Sequence, residues 1–322
     1  MKEALFIKLN RKEWVEMEDR LNARTTLSAD RLTAYYIRLT DDLSFVRSNF
    51  PQSKTHTYLN ELASVVYQRL YRNKKESKSR FITFWKEEFP QVMYDSRREL
   101  IYSFVIFMVS ALIGALSVAL DDTFVRLILG DQYVNMTLQN IEEGDPMAVY
   151  KEAHQMPMFL GITVNNIMVS FMVFAYGVML SVGAAFMLMR NGIMLGAFQY
   201  FFHQQGLLAT SALTIWIHGA IEISSIVIAG AGGLVIGNSI MFPGTLTRKE
   251  SFKRGAKRGI KIVVGLVPLF IIAGFLESFV TRMTDLPTVV KLIIIFGTLA
   301  GVIYYTIIYP NQLFKHGKQI RS

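Results

Sequence analysis

Two ionisable residues stand four apart inside a long apolar run: His218 and Glu222, in Ile217-His218-Gly219-Ala220-Ile221-Glu222. Between Leu207 and Phe242, Glu222 is the only Asp, Glu, Lys or Arg. Residues four apart share a helix face and lie within hydrogen-bonding reach. An ionisable group in apolar surroundings is costly, so a partner or a function must hold it there. The pair can satisfy itself, or bond to backbone freed by a helix break. It can also relay a proton or an ion, or touch a substrate. Two ligands are too few for a metal, and no second His or acid motif lies nearby in sequence, so no metal is expected. Acid–base chemistry is within reach of a His–Glu pair, but no Ser or Asp nucleophile stands at a recognisable motif. No catalytic residue and no cofactor are assigned.

Other polar residues mark the ends of the apolar stretches. Arg190-Asn191-Gly192 places a charge and a tight turn at the expected end of a span. Glu277 lies near the outer end of another and is expected to reach the interface. Seven Lys and Arg occur in the fourteen residues Arg248–Lys261. In a helix, Lys253, Arg254, Lys257, Arg258 and Lys261 share one face, which suits anionic lipid headgroups. The same residues also serve as a plain topology signal. Asn135-Met136-Thr137 fits a glycosylation sequon, a pattern too short to carry weight.

The elements that must position these residues are membrane spans. About 20 apolar helical residues cross the hydrocarbon core, and Ile101–Leu120 and Val164–Met189 contain no Asp, Glu, Lys or Arg. Ile262–Val280 and Val289–Tyr309 are the last two long stretches. Leu207–Phe242 is long for one span, and Gly192–Phe202 is so short that it reads as a stunted or re-entrant segment. Gly230, Gly232, Gly233 and Gly237 offer places to bend or to pack closely, against a neighbour or a second copy of the chain. The expected class is therefore an all-α polytopic membrane protein with about six membrane segments, one of them short or re-entrant.

Charge gives the expected orientation. The net charge is +9, with 34 Lys and Arg against 25 Asp and Glu. Arg97 and Arg98, Arg190, the Arg248–Lys261 cluster, and Lys315, Lys318 and Arg321 all fall on one side if there are six crossings. The positive-inside rule makes that side cytoplasmic. Residues 121–158 run the other way, with Asp121, Asp122, Asp131, Glu142, Glu143, Asp145 and Glu152 against Arg126 and Lys151. This stretch is long for a connection and is expected to form a small extracytoplasmic cap. Both termini then face the cytoplasm. Met1–Asn10 carries no secretory signal, so the first span is expected to serve as the insertion signal. The chain has no cysteine, which excludes disulfides and thiolate metal sites.

Residues 1–99 read as a cytoplasmic helical domain, followed by a transmembrane domain over 100–310 and a cytoplasmic tail over 311–322. Leu32, Tyr36, Leu39, Leu43, Val46 and Phe50 fall on one helix face that Pro51 ends. Tyr58, Leu62, Val65, Val66 and Leu70 fall on a second, and Phe81, Phe84, Trp85 and Phe89 on a third. No nucleotide loop, catalytic triad or metal cluster is visible here, and no nucleic acid is expected as a partner.

Taken together, Phe89-Pro90 before Arg97-Arg98, Arg190-Asn191-Gly192 before Gly196, and His218-Gly219 before Glu222 and a glycine-rich run resemble the stage II sporulation protein M family. The His-Gly-x-x-Glu segment is the most specific part, and the resemblance covers roughly residues 80–310. It implies a multi-pass protein of the bacterial inner membrane. The name-giving member belongs to a septal complex that remodels peptidoglycan during spore engulfment, where its partners supply the hydrolysis. Longer relatives are often encoded near MoxR-type ATPases, which with other envelope proteins and membrane lipids are the partners this resemblance suggests. It marks Arg190, Asn191, Gly192, His218 and Glu222 as motif positions without assigning them an activity. Two functions are expected on these grounds. One is a non-enzymatic scaffold or anchor of an envelope complex, and the other a transporter or channel-like protein using His218 and Glu222.

Overall fold

The computed structural model describes residues 2–22, 27–71, 79–151 and 154–314. The expected cytoplasmic cations Lys315, Lys318 and Arg321 lie outside them. The chain divides into two compact units, Met1–Arg80 and Phe81–Ser322.

The first unit holds helices α1 (Glu3–Asn22), α2 (Ala29–Asn49) and α3 (Lys54–Tyr71). The side chain of Ser28 caps α2 by accepting from the Arg31 amide, and the helix stops two residues before Pro51. Leu32, Leu39 and Val46 of α2 and Leu62 and Val66 of α3 close on Phe6, Trp14, Met17 and Leu21 of α1. A polar contact joins two of these helices: Trp14 Nε1 donates to buried Asp42 at 2.9 Å. Sequence patterning finds α2 and α3, while α1 hides its four core residues among charges.

The second unit starts earlier than the expected boundary at residue 99. Phe89, Val92 and Met93 of α4 (Phe89–Asp95) are buried with Ile262, Leu266 and Phe270. Phe89 stacks on Tyr305 at 5.5 Å and lies against Gly265, where a Cβ would meet its ring. The aromatic run of residues 81–89 thus belongs to the membrane unit.

Among the described residues, five helices of this unit are long and apolar enough to cross a membrane: α5 (Arg97–Leu120), α8 (Gln155–Tyr176), α10 (Leu208–Met241), α11 (Arg248–Thr281) and α12 (Thr288–Phe314). Between α5 and α8, the short helices α6 (Phe124–Leu129) and α7 (Asp131–Glu142) and a 3₁₀ turn (Ala148–Tyr150) form the expected helical cap. The cap closes a core of Val125, Val134 and Met147 against Phe201 and Phe202.

Helix α9 (Val182–Gln204) corrects two expectations. Gly192–Phe202 is not short or re-entrant but part of a continuous 23-residue helix, about 35 Å long. Arg190, Asn191 and Gly192 lie inside that helix rather than in a turn. The chain reverses earlier, at Gly177–Ser181, where Leu180 and Ser181 take positive φ of 53° and 66°. That turn is apolar except for Ser181, so hydropathy runs straight through it.

Helix α10 is the axis of the unit. Some 83% of its apolar stretch lies inside the protein, against 17% to 44% for the other four spans. It packs on α5, α8, α9 and α12, and most extensively on α11. Lipid offers no hydrophobic drive between helices, so close backbone approach must hold them together. Ala229-Gly230-Ala231-Gly232-Gly233 provides it: a Cβ on Gly233 would stand 2.7 Å from the Val173 carbonyl, and one on Gly259 2.8 Å from that of Gly232. Gly233→Leu is accordingly expected to cost at least about 1–3 kcal/mol, read as a lower melting temperature in detergent. Gly301→Ala meets open space and should stay within about 0.5 kcal/mol of the parent.

Candidate functional site

His218 sits eleven residues into α10, roughly 15 Å from its start. Its partner is not the one its spacing suggests. Nδ1 lies 3.0 Å from Oγ1 of Thr281 in a buried hydrogen bond, and Nε2 lies 3.9 Å from Oε2 of Glu277. Both partners come from the last turn of α11, which is π-helical over Leu276–Thr281. Glu277 lies seven residues after Phe270 and four after Ala273, on the buried face of α11, and points inward with only 15% of its side chain exposed, instead of reaching the interface. One ligand atom each from His218, Glu222 and Glu277 lies within 4.8 Å of the others.

Two more elements close the cluster. Asn166 of α8 stands beside Glu222, yet its Nδ2 has no hydrogen bond of acceptable geometry. From the cap, the Tyr150 ring lies 5.9 Å from the His218 ring. Burial, then the Glu277 carboxylate, holds the Tyr150 phenol well above its ordinary pKa, with Tyr133 and Glu222 adding to it. The phenol therefore stays protonated beside the two acids. Arg282 fastens this lid by donating to the Lys151 carbonyl at 2.8 Å. Ser225 and Ser278, both fully buried, also leave their hydroxyls unpartnered.

The arrangement gathers an imidazole, two carboxylates, an amide and a phenol from four separated segments. Two carboxylates this close in apolar surroundings need a compensating positive charge, supplied by a proton or a cation. Sequence reading finds His218 and Glu222 from their apolar setting. It names Glu277 but sends it to the interface, and it misses Thr281, Asn166 and Tyr150. Asn166, a polar residue inside an uncharged span, is the signal that could have extended the set.

At the opposite end of the bundle, the five basic residues at the start of α11 divide. Lys253 and Lys257 are exposed, and Arg254 pairs with Glu250 at 2.9 Å. Arg258 turns inward to Ser96, the Asp95 carbonyl and Glu99, and Lys261 pairs with Glu88 at 2.6 Å. Arg98, Arg254 and Arg258 line a cleft of about 780 Å³ with Tyr102, Leu234 and Phe242.

The class is thus an all-α polytopic membrane protein with a polar centre between its helices. The family model described as stage II sporulation protein M matches residues 103–282, more than half of the chain, and the chain belongs to that family. The matched stretch contains every residue of the centre. A second model, a domain of unknown function (DUF8413), matches residues 4–72, within the first compact unit. No curated protein and no solved structure matches the chain.

Thr281 is the only hydrogen-bond partner of His218 among the described residues. Thr281→Ala should therefore lower stability by about 1–3 kcal/mol, the cost of a buried unsatisfied polar group. Thr281→Ser should restore most of it, both read by thermal unfolding in detergent.

Proposed function

We propose that this membrane protein works through its polar centre, as a transporter or channel-like protein for a cation. The observation that carries the reading is the arrival of Glu277 beside His218 and Glu222. A lone His–Glu pair can be structural, but a second buried carboxylate has to be met by a proton or a cation, a cost that a folding role alone does not need. Ionisable groups kept between membrane helices are functional by default, and an irregular helical turn supplying them fits transporter sites. The positive-inside rule puts the acidic cap outside, so the centre lies near the extracytoplasmic end. In proteoliposomes, the parent chain should drive cation uptake that Glu277→Gln reduces at least tenfold while the protein stays monodisperse. Equal flux from the parent and from empty liposomes would end this reading.

A second reading keeps the chain as a non-enzymatic scaffold or anchor in the bacterial inner membrane. It is supported by the separately compact first unit, with its own core and its own family match. With both termini cytoplasmic, that unit is available to a MoxR-type ATPase or another envelope protein. The exposed Lys253 and Lys257, and the cleft at Arg98 and Arg254, suit anionic lipid headgroups. Deleting residues 2–80 should remove co-purifying partners in a gentle-detergent pull-down and leave the membrane unit in place. A partner that survives the deletion would place the interaction elsewhere.

A further inference from the structure

We propose that His218, Glu222 and Glu277 bind one first-row divalent transition metal ion, zinc by preference, in a site with an open coordination position. The inference rests on the reading that the centre holds a cation, and it names the class of that cation. Three donors converge from two helices, with ligand atoms within 4.8 Å of one another. Tetrahedral coordination at about 2.1 Å spaces ligand atoms about 3.4 Å apart. Binding therefore draws the three side chains together by little more than an ångström.

The donor set selects the ion. One imidazole and two carboxylates suit zinc and its first-row neighbours. Magnesium keeps its waters and prefers all-oxygen sites, and calcium asks for six to eight oxygens. Three protein ligands leave a fourth position for water or an incoming group, as open zinc sites do.

The surrounding residues already have the form of an outer shell. A histidine that binds metal through one nitrogen donates its other N–H to a neighbouring acceptor, which fixes the tautomer. Here Nδ1 is engaged by Thr281 at 3.0 Å, and Nε2 is the nitrogen aimed at Glu277. A proton on Nδ1 puts the lone pair on Nε2, on the side of the acids. Asn166, only 6% exposed, holds an amide without a partner beside Glu222. A divalent ion neutralises the two carboxylates, and the Asn166 amide then orients Glu222. Tyr150 of the cap brings its ring within 5.9 Å of the His218 ring.

The test uses the full chain, purified in mild detergent without a histidine tag, stripped with chelator and titrated with zinc. The account expects one zinc per chain by elemental analysis after desalting. Glu277→Gln and His218→Gln should abolish that stoichiometry, and Thr281→Ala should weaken binding about 10- to 100-fold. His203→Gln, at the surface-exposed end of α9, should change nothing. Because a centre variant can misfold, the parent chain is also loaded with cobalt. Intense visible d–d absorption marks a four-coordinate site, and the weak spectrum of the hydrated ion marks none. No saturable zinc, binding unaffected by Glu277→Gln, or a hydrated cobalt spectrum would each overturn the metal site. Cation flux from a chain that takes up no saturable zinc would overturn the metal site yet leave the transport reading intact. Stoichiometric zinc without flux would do the reverse.

Discussion

Helix α10 runs through the membrane unit with little contact to lipid, and the rest of that unit depends on how such a helix is held. Its neighbours approach to backbone contact because its C-terminal half carries Ala229-Gly230-Ala231-Gly232-Gly233, a stretch with nothing larger than a methyl group. Its N-terminal half carries His218 and Glu222 and packs against larger side chains such as Ile295 and Leu276. One half of the helix is built for packing density. The other holds polar groups that only the surrounding helices can satisfy. Burial of most of the helix keeps the polar groups away from lipid, so the glycine-rich stretch is a precondition for the site.

The last turn of α11, π-helical over Leu276–Thr281, is the second requirement. Glu277 and Thr281 share a face through their i, i+4 spacing, and Glu277 continues the buried face of Phe270 and Ala273, which brings both side chains to His218. Irregular backbone at this place is tolerated because the cap and α10 cover it. The Arg282–Lys151 bond ties the cap to the same turn. The lid, the carboxylate and the histidine anchor thus meet at one turn.

Much of this architecture is legible in the residues. Apolar length marks four spans and the long α10, and the period of Leu32, Leu39 and Val46 marks α2. The features the residues hide have physical reasons. The reversal at Gly177–Ser181 uses apolar side chains, so no polarity change announces it, and hydropathy carries the second span on to Met189. Arg190 then looks like a span end, although it lies on the exposed face of a helix whose other face is packed at Gly192 and Gly196. Glu277 reads as an interface residue because it stands near the end of its span, although it continues the buried face of Phe270 and Ala273. The aromatic run before residue 99 reads as part of the soluble domain because Phe84, Trp85 and Phe89 look like a core face. They are one, but the core belongs to α11 and α12.

The most direct measurement is cross-linking between positions 218 and 281 in native membranes. The chain has no cysteine, so the pair His218→Cys and Thr281→Cys is read without background. A protease site placed in the 242–247 connection separates the two halves unless they are linked. With a short bifunctional thiol reagent, an efficient intramolecular link is predicted, and none for the pair His218→Cys with Lys257→Cys, which also straddles the protease site but joins opposite ends of the bundle. A chain that falls into two fragments after treatment of the 218–281 pair would contradict the packing of α11's last turn on α10, and with it the centre itself.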